Sequence, residues 1–223
     1  MKKPVVTAFL VSATPRIVQS DFQEENAMSQ VHNEDIKDLL SYFQVIPDAL
    51  MKVYLMKQYN MTPNRAVETI YNACRTSGRQ RPAAYVTKGG LARSESFTAN
   101  SQTLQRCRAF RVCCEFLPSS RQFVLPKIHP WLINFHEEGM AYYVCEFRRG
   151  EELLMADMIR NAGISREMMN RTVRIAIMAP GANRSLVDEC GIKYFCTVND
   201  EYDLDVTEAV DDAEVWNGVP IVD

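Results

Sequence analysis

One short segment constrains the fold more than any other. Thr62-Pro63 starts a helix, Thr76-Ser77-Gly78 stops it, and Lys88-Gly89-Gly90 turns the following residues back on themselves. Threonine at an N-cap followed by proline in the first helical turn is a strong start signal, because proline lacks only an N–H that would be unbonded there anyway. Over 63–75, Ala66, Val67, Ile70, Tyr71 and Cys74 recur at helical spacing and predict a buried stripe. Asn64, Arg65, Glu68, Asn72 and Arg75 are left facing outward. Ala83–Thr87 and Leu91–Arg93 flank the glycine pair as two strands of a hairpin.

Two more helices precede this unit. Asn33 is placed as an N-cap with acids following, and Ile36, Leu39, Leu40 and Phe43 mark one face. After a short Val45-Ile46 link, Pro47 opens a second helix that ends near Asn60-Met61. Three helices and a hairpin, in that order, predict a winged helix-turn-helix over 33–96. In that arrangement the third helix enters the DNA major groove and the hairpin touches backbone. The same arrangement also serves as a protein-interaction module.

Charge follows the same partition. Residues 62–126 hold ten Lys/Arg against Glu68, Glu95 and Glu115, a net of +7. The whole chain is −3, so the remainder carries −10. Segregation of this kind suggests a face turned to a polyanion; the alternative is that the bases solvate helices and pair with distant acids. If the face binds duplex DNA, Asn64 and Arg65 sit where base edges are read. Arg75, Arg79, Arg81, Lys88 and Arg93 then supply phosphate contacts.

The second half predicts a small mixed-sheet domain over 97–205. A helix over 98–118 is followed by a short strand at 122–125 and a hairpin of 131–136 with 140–147 turned by Glu137-Glu138-Gly139. A helix over 150–162, a strand at 174–179, a short helix at 182–190 and a strand at 192–198 complete it. Strands linked through helices favour a sheet with helices on its faces, so the fold class is α/β (α+β overall). The order matches a restriction-endonuclease-like core. Such nucleases need an acid on one strand and Glu-x-Lys on the next to hold Mg²⁺ and a water. Here the first strand offers Asn134 or His136, and the second offers Glu146-Phe147-Arg148. Arginine stays charged and is a poor proton-transfer group. A non-catalytic copy of the fold is therefore expected, with a metal-dependent nuclease using Glu146 as the rival and a protein-binding adaptor or inhibitor as the third reading.

Seven cysteines without a CxxC pair, and only three histidines, give no zinc spacing. Buried free thiols in a reducing cytoplasm are expected, with no metal or cofactor. No apolar run is long enough to span a membrane. Residues 5–13, after two lysines and Pro4, faintly resemble a signal peptide but suit a strand or docked segment better; 19–33 read as a polar linker, and 206–223 as an acidic tail. That tail is expected to be solvated, with masking of the basic face or nucleic-acid mimicry as alternatives.

LLSYFQVIPDALMKVYL, the Lys88-Gly89-Gly90 turn and YYVCEFRRGEE together resemble the replication-relaxation-like proteins, including mobilisation accessory proteins of conjugative elements. The resemblance covers about residues 33–205. It implies a winged helix joined to an inactive endonuclease-like domain, a role in mobilisation or replication of a mobile element in bacteria, and duplex DNA as partner. A relaxase or other protein partner and a homodimer are consistent with it. The segment before residue 33 and the acidic end depart from that pattern.

Overall fold

A computed structural model describes residues 18–76, 78–116, 123–126, 130–161 and 171–209, with side chains from 30 onward apart from Asp188. The N-terminal apolar segment, the Pro118 helix stop and most of the acidic tail lie outside the described residues.

Helix α1 spans Val18–Phe43, so the expected linker at 19–33 is helical instead. The reason is local: the segment contains neither glycine nor proline, and Gln, Glu, Ala and Met sustain a helix whatever their polarity. Asn33 is an interior residue there, not a cap. Val45–Ile46, expected as a link, forms strand β1 and is fully buried.

Helix α2 (Asp48–Tyr59) starts after Pro47 and ends at Asn60, whose left-handed φ of 51° breaks the run. Helix α3 spans Pro63–Cys74, and the Thr62 hydroxyl accepts from the Arg65 N–H at 3.4 Å. Strands β2 (Tyr85–Thr87) and β3 (Gly90–Ala92) follow. They make a three-stranded sheet in the order β1-β3-β2, both pairings antiparallel. Gly90 permits this: at φ 120° an added Cβ would lie 2.5 Å from the Ile46 carbonyl oxygen.

Helix α4 (Ser101–Phe116) begins the second half, capped by Asn100, whose Oδ1 accepts from the Thr103 N–H at 2.8 Å. A six-stranded mixed sheet follows in the order β4-β5-β6-β7-β8-β9. Its strands are Phe123–Val124, Ile133–Glu137, Met140–Phe147, Thr172–Met178, Tyr194–Val198 and Leu204–Glu208. β6, β7 and β8 are mutually parallel, and the outer pairings are antiparallel. The β5–β6 turn has both Glu138 and Gly139 at positive φ, the twist a two-residue hairpin requires. Helix α5 (Glu152–Asn161) connects β6 to β7. The expected short helix at 182–190 resolves into two 3₁₀ turns at 184–186 and 188–190.

Strand β9 lies where the sequence suggested the start of a solvated tail. Its pairing to β8 is set by a turn in which the Asn199 Oδ1 accepts from the N–H groups of Glu201 and Asp203, at 2.9 and 2.8 Å.

The sheet carries a core on each face. Ile133, Phe135, Val144, Val173, Ile175 and Ile177 face α4 and share one cluster with the cores of α1, α2 and β3. Cys145, Phe147, Ala176 and Phe195 face Ala156 and Ile159 of α5. Buried packing therefore runs unbroken across residue 96, with α4 serving both halves.

Candidate nucleic-acid interface

Helix α3 packs through small residues. Ala66, Thr69 and Ala73 are buried, with Ile70 and Cys74 half-buried beside them. The expected stripe is rotated: Val67 and Tyr71 point outward, 53% and 61% exposed. The signal that would have placed them is the 66-69-73 spacing of residues small enough for close helix packing. Thr69 fits there because its hydroxyl donates to the Arg65 carbonyl at 2.8 Å, satisfying itself inside the helix.

The outward face of α3 is thus Asn64, Val67, Glu68, Tyr71, Asn72 and Arg75, at i, i+3, i+4, i+7, i+8 and i+11, all exposed. Arg65, expected to read bases, is partly exposed and paired on the helix surface. Its guanidinium donates to Glu68 at 3.0 Å, and it also stands close enough to buried His32 to depress that imidazole's pKa, with burial as the larger cause. Asn64 does lie at the exposed start of the helix.

The other five expected contacts behave as a group. Arg75, Arg79, Arg81, Lys88 and Arg93 are all exposed, and none has a carboxylate partner among the described residues. Arg75 instead lies over the Tyr71 ring, 5.4 Å from its centroid. Arg75 and Arg81 join Lys37, Asn33 and Asn72 around an open polar cleft of about 850 Å³ between α1 and the end of α3. Lys88 is at the hairpin turn, and the Arg93 N–H donates to the Gln44 carbonyl at 3.0 Å, which fixes the base of the hairpin against the end of α1.

The remaining bases of the 62–126 segment are used differently. Arg108 of α4 donates twice to the Glu146 Oε1, from Nε at 2.9 Å and Nη2 at 2.6 Å. Arg111 is buried; it donates to the Tyr202 carbonyl at 2.9 Å and to Glu115 at 3.1 Å. Glu115 also meets Lys57 of α2 at 3.0 Å. These pairs tie α2, α4, β6 and the β8–β9 turn together.

The expected metal position does not assemble. Glu146 shares the α4 face with Val144, whereas Asn134 pairs with Tyr143 and lies on the opposite face. His136 is opposite Ala141, and its side chain is exposed. No group of three His, Cys, Asp or Glu able to hold a metal ion occurs among the described residues. Glu146 is 4% exposed; its Oε2 has no hydrogen-bond partner, and the nearest other cation is the Arg148 Nε at 4.0 Å. Arg148 thus flanks the same carboxylate that Arg108 holds.

All seven cysteines are free, and all but Cys74 are buried. Burial pushes the thiols of Cys107, Cys114 and Cys196 up to about 12, so none is a nucleophile near neutral pH. Among the described residues no helix is long and apolar enough to cross a membrane. Compared with family models, with curated proteins and with solved structures, the chain matches none.

Proposed function

We propose that α1 to β3 form a winged helix that binds duplex DNA, and that the six-stranded unit is a non-catalytic, endonuclease-like partner to it. The element order helix, strand, helix, helix, hairpin and the sheet order β1-β3-β2 support the first part. The single observation that carries the DNA reading is the group Arg75, Arg79, Arg81, Lys88 and Arg93: five exposed cations without carboxylate partners among the described residues, all on the segment following α3 and its hairpin. Exposed, uncompensated cations are what phosphate contact needs. Absence of catalysis is supported by the Arg108 guanidinium on Glu146 and by the opposite facing of Asn134. Through its resemblance, the reading extends to a cytoplasmic accessory or regulatory protein in mobilisation or replication of a mobile element, acting beside a relaxase or another protein.

Salt dependence tests it. Each phosphate neutralised adds about 0.9 to the slope of log K against log salt on duplex DNA, so five contacts give a slope near −4.5. Lys88→Ala and Arg93→Ala should each flatten it by about one unit and weaken binding to all sequences alike. Weak, salt-insensitive binding to duplex DNA would refute the reading. That result would favour the adaptor, for which the exposed Val67, Tyr71 and Val86 would be the contact residues.

A further inference from the structure

We infer that α3 selects A·T base pairs, using amide and apolar groups where a recognition helix more often uses arginine. This rests on the DNA-binding reading above and names the sequence class that the same face takes. In the major groove, adenine offers N7 and N6 to a bidentate amide, thymine offers its C5 methyl, guanine is best met by a free Arg or Lys, and cytosine by a free carboxylate. The outward stripe of α3 carries Asn64 and Asn72 as amides and Val67 and Tyr71 as apolar groups.

The charged residues of the stripe's first two turns are engaged with each other, since Arg65 donates to the Glu68 Oε2 at 3.0 Å. Reading guanine or cytosine beside Asn64 and Val67 would first require breaking that pair. Arg75, the remaining base of α3's outward face, stands over the Tyr71 ring just past the helix end, where backbone is the nearer target. Val67, 53% exposed, belongs to neither apolar cluster among the described residues, and Tyr71, 61% exposed, is covered only by Arg75. A thymine methyl is the groove feature that would cover them. From Asn64 to Asn72 the helix rises about 12 Å, or roughly three to four base steps, at 1.5 Å per residue and 3.4 Å per step.

The test uses the full chain and two DNA measurements. Duplexes selected from a random library should share an A·T core of about three to four pairs. In the best site, each thymine in contact should then be replaced by deoxyuridine, which removes only the methyl group. Losing one buried methyl should weaken binding about fourfold. Val67→Ala should remove most of that methyl sensitivity at one position, and Asn72→Ala should relax the choice of adenine at another. Because both side chains are exposed, unchanged thermal unfolding is expected and separates lost readout from lost fold. A G·C core, or equal binding of thymine and deoxyuridine sites alongside a steep salt slope, would overturn this inference and leave the DNA reading standing. Absence of salt-dependent duplex binding would overturn both.

Discussion

Arg108→Met should strand a buried charge. In the folded chain the Glu146 side chain is 2% exposed and the Arg108 side chain 26%, and both of the arginine's hydrogen bonds end on one carboxylate oxygen. Removing one partner of a buried ion pair costs about 3–5 kcal/mol, because the other charge stays desolvated. The lower end applies here. Arg108 reaches water along one edge, and Arg148, 4.0 Å from the free oxygen, can swing closer. A loss of about 3 kcal/mol lowers the melting temperature by roughly 6–12 °C in a chain of this size. Glu146→Leu with Arg108→Met removes both charges and places apolar volume against the α4 face of the sheet, so the double variant should return to within about 1 kcal/mol of the parent. The assay is urea unfolding of the four proteins of the cycle, followed by far-UV circular dichroism. Additive losses, or an Arg108→Met cost below about 0.5 kcal/mol, would refute a buried structural pair. The same cycle repeated in millimolar Mg²⁺ should be unchanged. Selective rescue of Arg108→Met by Mg²⁺ would instead mark Glu146 as a metal ligand.

Two further outcomes follow from backbone and titration. Gly90→Ala should cost at least about 2 kcal/mol in chemical unfolding, since it combines a φ of 120° with a Cβ 2.5 Å from the Ile46 oxygen; Gly139→Ala, where nothing lies within 4 Å, should cost less. His32 is buried with its pKa lowered by burial and then by Arg65, so the unfolded chain binds a proton first as pH falls below 6.5. Stability should therefore decline from pH 6.5 downward, no more steeply than about 1.4 kcal/mol per pH unit, the limit for one proton. His32→Gln should flatten urea midpoints measured between pH 7 and 5, and an unaltered slope would refute the assignment.

Much of the fold was legible where local signals were redundant. Pro47, Thr62-Pro63, Gly78 and the Glu138-Gly139 turn each combine a backbone constraint with a periodic stripe, and the elements they bound fall where expected. Most failures share one cause: the deciding partner is distant. Polar residues before 33 look like a linker because their polarity masks a local signal, the lack of glycine and proline. β9 looks like a tail because its acids hide the alternation that β8 completes by pairing. Val67 and Tyr71 look like core by size, but the face of α3 that packs inward carries Ala66, Thr69 and Ala73, with Ile70 and Cys74 at its edge. On the candidate site, the exposed cations Arg75, Arg79, Arg81, Lys88 and Arg93 stand out in the sequence. Arg65 does not, because its pairing with Glu68 depends on rotamers. Nor does the separation of Asn134 from Glu146, because strand register decides the face and one residue of slip reverses it.

The concentration of positive charge in an acidic chain then has two causes rather than one. Ten bases lie between 62 and 126. Arg65, Arg108 and Arg111 answer carboxylates within the fold, at Glu68, Glu146 and Glu115. They balance charge that folding brings near them, and would be needed in a protein that never met a polyanion. Arg75, Arg79, Arg81, Lys88 and Arg93 answer none among the described residues. A fold gains little by leaving five like charges exposed within nineteen residues of sequence, since they repel each other and none is paired with a carboxylate among the described residues. The largest run of acids is at the other end of the chain. Asp205 and Glu208 sit on β9, the edge strand of the six-stranded sheet, where the only ion pair among the described residues is a 3.9 Å contact between Glu208 and Lys193. Excess positive charge thus lies on the segment after α3 and excess negative charge on the β9 edge, and a polyanion bound as proposed would meet the first.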